Sequence, residues 1–136
     1  MFLAKYSNAG IMLTSMHSHG TRMESMPLEA LEQVASYFQA LSEPTRLQIL
    51  NLLRQGERNV GELAQACGCT SANVSRHLSM LTQQGLVSRE GRGTSVYYRI
   101  ADESVYALCD LVCGSIARKI ECSASQRAAF LPATKR

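Results

Sequence analysis

Five cysteines and a run of short polar side chains are the residues whose types could do chemistry. Cys109 and Cys113 stand four apart in a stretch of helical periodicity, so their Cβ atoms should lie about 5–6 Å apart on one helix face. Two thiolates at that spacing can share one soft ion. Cys122 is the candidate third thiol. On a straight helix it lies about 13.5 Å beyond Cys113 and on the opposite side. It joins the pair only if the helix ends near Lys119 and the chain folds back, or if a second copy supplies it. Cys67 and Cys69 flank Gly68. Free cysteine behaves as a small buried hydrophobe, so these two are expected to pack in the core, with a sensing or redox role as the alternative. His17 and His19 sit in a loose N-terminal stretch and read as incidental, not as metal ligands.

The second group is Thr70, Ser71, Asn73, Ser75, Arg76 and His77. On a helix they form a small polar and basic outward face of the kind that enters the DNA major groove. Ser and Thr can bond base edges or phosphates, Asn can bond an adenine edge twice, and Arg can meet guanine or a phosphate. His77 alone reads more readily as a surface or packing residue than as a base reader. Arg89 and Arg92, near an expected hairpin tip, are placed to touch the adjacent backbone or minor groove. Charge agrees with this. Residues 28–62 carry five acids and three bases, whereas residues 71–99 carry Arg76, Arg89, Arg92 and Arg99 against Glu90 alone. A local basic excess in a chain of net charge +3 points to an anionic partner for that segment.

Positioning these groups requires elements in a definite order. Residues 1–27 show no sustained period and close at Pro27, which reads as a tail. From Leu28, the residues Leu31, Val34, Ala35, Phe38 and Leu41 make one helical stripe. Ser42-Glu43-Pro44 ends that helix and starts another, with Pro44 near its first position. Leu47, Ile49, Leu50, Leu52 and Leu53 make the second helix apolar almost all round, which predicts a place in the core. A short helix from about Val60 to Ala66 leads into the tight Cys67-Gly68-Cys69 connection. The next helix, capped by Thr70 or Ser71, runs to about Gln84 with Val74, Leu78 and Leu81 inward and Gly85 as its stop. Alternation over Leu86–Arg89 and Ser95–Ile100 predicts two strands with Gly91-Arg92-Gly93 as the tip. Asp102-Glu103-Ser104 starts a last helix with Val105, Leu108, Val112, Ile116 and Lys119 along one side. Ser123 to Arg136 looks frayed. Residues 28–122 are thus expected to form the domain, between tails of 1–27 and 123–136. Two helices joined by a short Gly-containing turn are the helix-turn-helix pattern.

The 136 residues, 46% of them apolar, suffice for one core. A charged fraction of 18% excludes a highly charged disordered chain. No apolar run reaches the ~18 residues needed to span a bilayer. The first residues lack the apolar core of a secretion signal, so the expected location is cytoplasmic and the cysteines are expected to be reduced thiols. There is no Ser/His/Asp set, phosphate loop or paired carboxylate site to support an enzyme. The Cys67-Gly68-Cys69 run also lacks the βαβ context of a thiol oxidoreductase.

The stretches LSEPTRLQILNLL, VGELAQACGCTSANVSRHLSMLTQQGLV and REGRGTSVYYRIAD, in that order, resemble the arsenic-repressor (ArsR/SmtB) family of winged helix-turn-helix regulators over residues 29–120. The resemblance implies a mainly α fold with a small β-hairpin and a homodimer formed through the first and last helices. It also implies double-stranded operator DNA as partner, no membrane, and repression until an effector lowers DNA affinity. The apolar stripes on those two helices fit the dimer role independently.

The family's known sensing sites match poorly. The Cys-x-Cys site of its arsenic sensors falls on Asn59, Val60 and Gly61. Of its interfacial zinc set only Asp102 is kept, the other positions holding Ser104, Ser115 and Arg118. The second-helix cysteine of its sulfide sensors falls near Asn51, and residues 43–54 contain no cysteine. Cys67 and Cys69 occupy places where the family's motif usually holds leucine or valine. Cys109, Cys113 and Cys122 remain. Arsenite and antimonite, which prefer three thiolates in a pyramid, are therefore the expected effectors, with a soft divalent metal as another choice. Rival readings are a thiol-redox or reactive-sulfur repressor using the same cysteines, and a DNA- or partner-binding module without effector. Disulfide formation by an i, i+4 pair needs helix distortion.

Overall fold

The structure, a computed structural model, describes residues 23–120 and 124–131. After a 3-10 turn at Met23–Ser25, the elements run α1 (Leu28–Leu41), α2 (Pro44–Leu53), β1 (Arg58–Asn59), α3 (Val60–Cys67), α4 (Ser71–Gln83), β2 (Val87–Arg92), β3 (Ser95–Ile100), α5 (Ser104–Lys119) and α6 (Ala124–Ala128). They divide into two compact units between Phe38 and Gln39, within α1. In the first unit Ala30 is buried, Leu31 and Val34 are half-buried, and Leu28 and Phe38 are exposed.

The second unit begins with the last turn of α1. The side chains that start its next helices satisfy amide groups that helix geometry leaves without partners. Glu43 accepts from the Arg46 amide at 3.0 Å ahead of Pro44, and Asn59 accepts from the Glu62 amide at 2.8 Å. The core is built from Ile49, Leu50 and Leu53 of α2, Leu63 and Ala64 of α3, Val74, Leu78 and Leu81 of α4, Leu86 with Val87 of β2, and Val105 of α5. Leu47 departs from the sequence expectation: it is 41% exposed, because one side of this all-round apolar helix is left open. Arg46, by contrast, is buried.

The sheet has three strands, ordered β1-β3-β2 and antiparallel throughout. Sequence alternation predicts only two. The extra strand is two residues long, pairing Arg58 with Tyr98 and Asn59 with Tyr97, too short to carry a period. The hairpin tip also moves. Arg92 pairs with Ser95, so Gly91 and Arg92 belong to β2 and the turn is Gly93-Thr94. Gly93 takes the left-handed φ of 61° that such a two-residue turn requires. At the C-terminal end α6 forms within a segment expected to be frayed. No helix among the described residues is long and apolar enough to cross a membrane.

Candidate functional site

The connection between α3 and α4 turns on Gly68, whose φ of 65° lies in the left-handed region that a Cβ disfavours. There the Gly68 and Cys69 amides close on the carbonyls of Gln65 and Ala64, at 3.3 and 3.1 Å. Thr70 then caps α4, its Oγ1 accepting from the Asn73 amide at 3.1 Å. Val74, Leu78 and Leu81 are fully buried and fix which side of α4 faces the core. Ser71, Ser75 and Arg76 are therefore turned out and exposed. Asn73 is half-buried, and its Oδ1 accepts from Arg76 Nη2 at 3.2 Å, so the two side chains that could read bases are tied together.

His77 does not join that outward row as a free reader. Its side chain is 14% exposed, and its Nδ1 lies 3.1 Å from Nη1 of the buried Arg46. The physical reason is helical spacing: position 77 falls beside 74, 78 and 81 on the inner face, three and four residues apart. Sequence alone does not single out Arg46. Its partners lie six, seven and 31 residues away, beyond any local pattern.

On the wing, Arg89 is exposed. Arg92 is exposed too, but it is held. Its Nη2 donates to Glu57 Oε2 at 2.8 Å and to Glu90 Oε2 at 3.1 Å, and its guanidinium lies 4.9 Å from the Tyr97 ring centre. The Arg92 hydrogen bond is the main reason the Glu57 carboxyl sits below the usual carboxylate range, and Glu57 in turn pushes the Arg92 pKa up. Sequence reasoning misses Glu57, since nothing local marks it as the partner of a residue 35 positions away.

The thiols separate into two places. Cys67 and Cys69 are half-buried, not core residues as expected, because Cys67 is the last residue of α3 and Cys69 sits in the turn that follows. The Cys69 thiol donates to the Cys67 carbonyl at 3.3 Å. Burial, then the neighbouring Cys69, pushes the Cys67 thiol up. Cys109 and Cys113 are free, half-buried thiols one turn apart on α5. Burial pushes the Cys109 thiol up, helped by Cys113 and Asp110 and opposed by Arg54.

The first turns of α5 are docked: Val105 is fully buried, and the Tyr106 hydroxyl donates to the Leu50 carbonyl at 2.7 Å. Further along, Leu111, Val112 and Ile116 are 73%, 48% and 37% exposed. The helix ends at Lys119, where Ile120 turns extended, and α6 packs against α5. Cys122 lies outside the described residues, as do His17 and His19. No group of three His, Cys, Asp or Glu side chains that could hold a metal ion occurs among the described residues.

Residues 43–89, from the cap of α2 to the middle of β2, match the profile of bacterial regulatory proteins of the arsR family. The chain is 48% identical over 82 residues to the HTH-type transcriptional regulator Rv0324 of Mycobacterium tuberculosis, covering 60% of this chain but only 36% of that protein. It is 36% identical over 106 residues to the "Probable mercury resistance operon repressor" of Streptomyces lividans, covering 78% of each. Among solved structures it resembles the homodimeric winged helix-turn-helix DNA-binding domain Mb0332 (fragment 1–100) from Mycobacterium bovis. That match has a TM-score of 0.61 and 36% identity, covering 78% of this chain and 99% of that one.

Proposed function

The chain belongs to the ArsR family of DNA-binding transcriptional regulators, and from that premise we propose that it is a homodimeric operator-binding repressor released by a soft metal or metalloid ion on Cys109 and Cys113. The observation that carries the DNA-binding part is the exposed row Ser71, Ser75 and Arg76 on a capped helix whose other face is fully buried. Thr70 and Asn73 flank the row, while Arg89 and Arg92 offer phosphate contacts from the wing. Arg92 must exchange Glu57 for a phosphate to do so, which costs little because the pair is exposed.

The uncovered Leu111, Val112 and Ile116 support a second copy docking along α5. The mercury resistance repressor among the relatives favours a soft ion as effector. Two thiols one turn apart suit an ion content with two thiolates. Arsenite or antimonite needs a third, for which Cys122, from either protomer, is the candidate. Oxidation of the same cysteines ranks lower. A disulfide between residues four apart on α5 needs helix distortion. A soft ion displaces the thiol proton on binding. The test is DNA binding by the reduced protein titrated with arsenite, antimonite, mercury(II), cadmium, zinc and a persulfide donor. Release by a soft ion supports the reading, and release by the persulfide donor alone overturns it.

A further inference from the structure

Arg46 is 7% exposed, and its charge is spent inside the protein. Its Nε donates to the Ala40 carbonyl at 2.6 Å and its Nη2 to the Gln39 carbonyl at 3.1 Å. These carbonyls belong to the last turn of α1, where a positive charge is favoured; the Gln39 carbonyl also accepts from the Ser42 amide at 3.2 Å and the Ser42 hydroxyl at 2.8 Å. The third arm, Nη1, lies 3.1 Å from His77 Nδ1. A guanidinium has only donors, so Nδ1 accepts and neutral His77 carries its proton on Nε2. Glu43 braces the arrangement: its Oε2 takes the Arg46 amide at 3.0 Å and lies 3.7 Å from His77 Nδ1.

Apolar packing through Val74, Leu78 and Leu81 holds α4 against the core but tolerates a small roll about the helix axis. A hydrogen bond is directional and does not. A roll of about 10° moves an outward side chain, about 5–6 Å from the axis, by about 1 Å. That is enough to spoil a paired contact with a base edge.

We propose that Arg46 and His77 are positioning residues for operator recognition. Anchored on the last carbonyls of α1, the guanidinium sets the roll of α4 and so aims Ser75 and Arg76, while neither Arg46 nor His77 touches DNA. This rests on α4 being the helix that reads DNA.

The experiment uses a duplex selected by the wild-type protein from random-sequence DNA, every single-base-pair variant of it, and unselected DNA. In His77→Asn the amide oxygen stands near the place of Nδ1 and can accept from Arg46, but the Nε2 proton is gone. In His77→Phe both are gone. The expected result is that His77→Asn keeps selected-over-unselected discrimination within about twofold of wild type. His77→Phe loses discrimination by about 2- to 30-fold, the range for residues that act without touching the ligand. The loss falls across all positions of the half-site, with an unchanged salt slope because every phosphate contact is kept. Discrimination is a ratio within one preparation, so a misfolded fraction cancels. Arg46→Lys, which keeps the charge but loses the fork, should lose discrimination in the same pattern.

Loss at a single base pair in both His77 variants would make His77 a base reader through Nε2 and overturn the proposal. Wild-type discrimination in His77→Phe would overturn it too. If Ser75→Ala and Arg76→Ala leave binding unchanged, the assignment of α4 fails first and the positioning role falls with it.

Discussion

The helix-turn-helix and the outer half of α5 finish their surfaces in opposite ways. Around α4 the first amides are capped by Thr70, the turn is locked by Gly68, and Val74, Leu78 and Leu81 have no exposure. On α5 beyond its docked first turns, Leu111 is 73% exposed and Val112 and Ile116 stand beside it in water. One chain completes the first region and leaves the second open. In the proposed repressor, this contrast lets the α4 face stay constant while the geometry between two copies varies. That is the division a releasable dimeric repressor needs.

The largest expected effect tests the open region. Val112→Asp should give monomers in sedimentation while circular dichroism stays native. A charge buried unpaired at an interface costs about 3–5 kcal/mol, and the same charge on a free surface costs little. A dimeric Val112→Asp protein would mean that α5 is not the interface.

Truncations sharpen the contrast within one measurement. Leu78→Ala should lower unfolding stability by about 2–5 kcal/mol, as expected for a core cavity. Leu111→Ala, studied in the monomeric Val112→Asp background, should stay within about 0.5 kcal/mol. Thr70→Ala should cost about 0.5–2 kcal/mol through removal of the cap, read by denaturant unfolding.

Acid should erode the capped region. The Glu43 carboxyl, which burial alone would raise, is held below its ordinary value by hydrogen bonds from the Arg46 amide and from the Thr45 hydroxyl and amide. Asp102 is lowered by the Ser104 hydroxyl and amide. A carboxyl depressed in the folded state stabilises fully above its unfolded pKa and loses that contribution as pH falls through the folded value. Stability followed by unfolding should therefore decline below about pH 4.5, and less so in Glu43→Gln. The smallest effect on folding belongs to Arg92→Ala. Its ion pairs are exposed, so the melting temperature should hardly move. The salt slope of DNA binding should fall by about 0.9, the share of the single phosphate that Arg92 would neutralise.

Local signals made much of the reading region legible in sequence. The Thr70 cap, the Gly68 turn, the Val74–Leu78–Leu81 stripe and the Gly85 stop each depend on residues at most seven positions apart. Features set by distant partners were not legible. The burial of Arg46 and the inward turn of His77 depend on each other across 31 residues. The hold of Glu57 on Arg92 crosses 35. The β1 strand is a two-residue pairing with β3 and has no pattern of its own. Leu47 reads as core because the composition of a helix says which residues are apolar, not which sides other elements cover. Cys67 and Cys69 are expected inside for their residue type, but their places at the end of α3 and in the turn after it leave them half-buried.

The measurement that bears most directly on the central claim is affinity for the selected duplex, with and without mercury(II), arsenite or antimonite, for wild type and the cysteine variants. Wild type should lose affinity by about 5- to 150-fold with at least one of these ions, the range typical of allosteric coupling. Cys109→Ser and Cys113→Ser should bind DNA normally and no longer respond. Cys67→Ser and Cys69→Ser should still respond. Normal release by Cys109→Ser and Cys113→Ser, with the response abolished in Cys67→Ser or Cys69→Ser, would contradict the account and move the sensor into the turn of the helix-turn-helix.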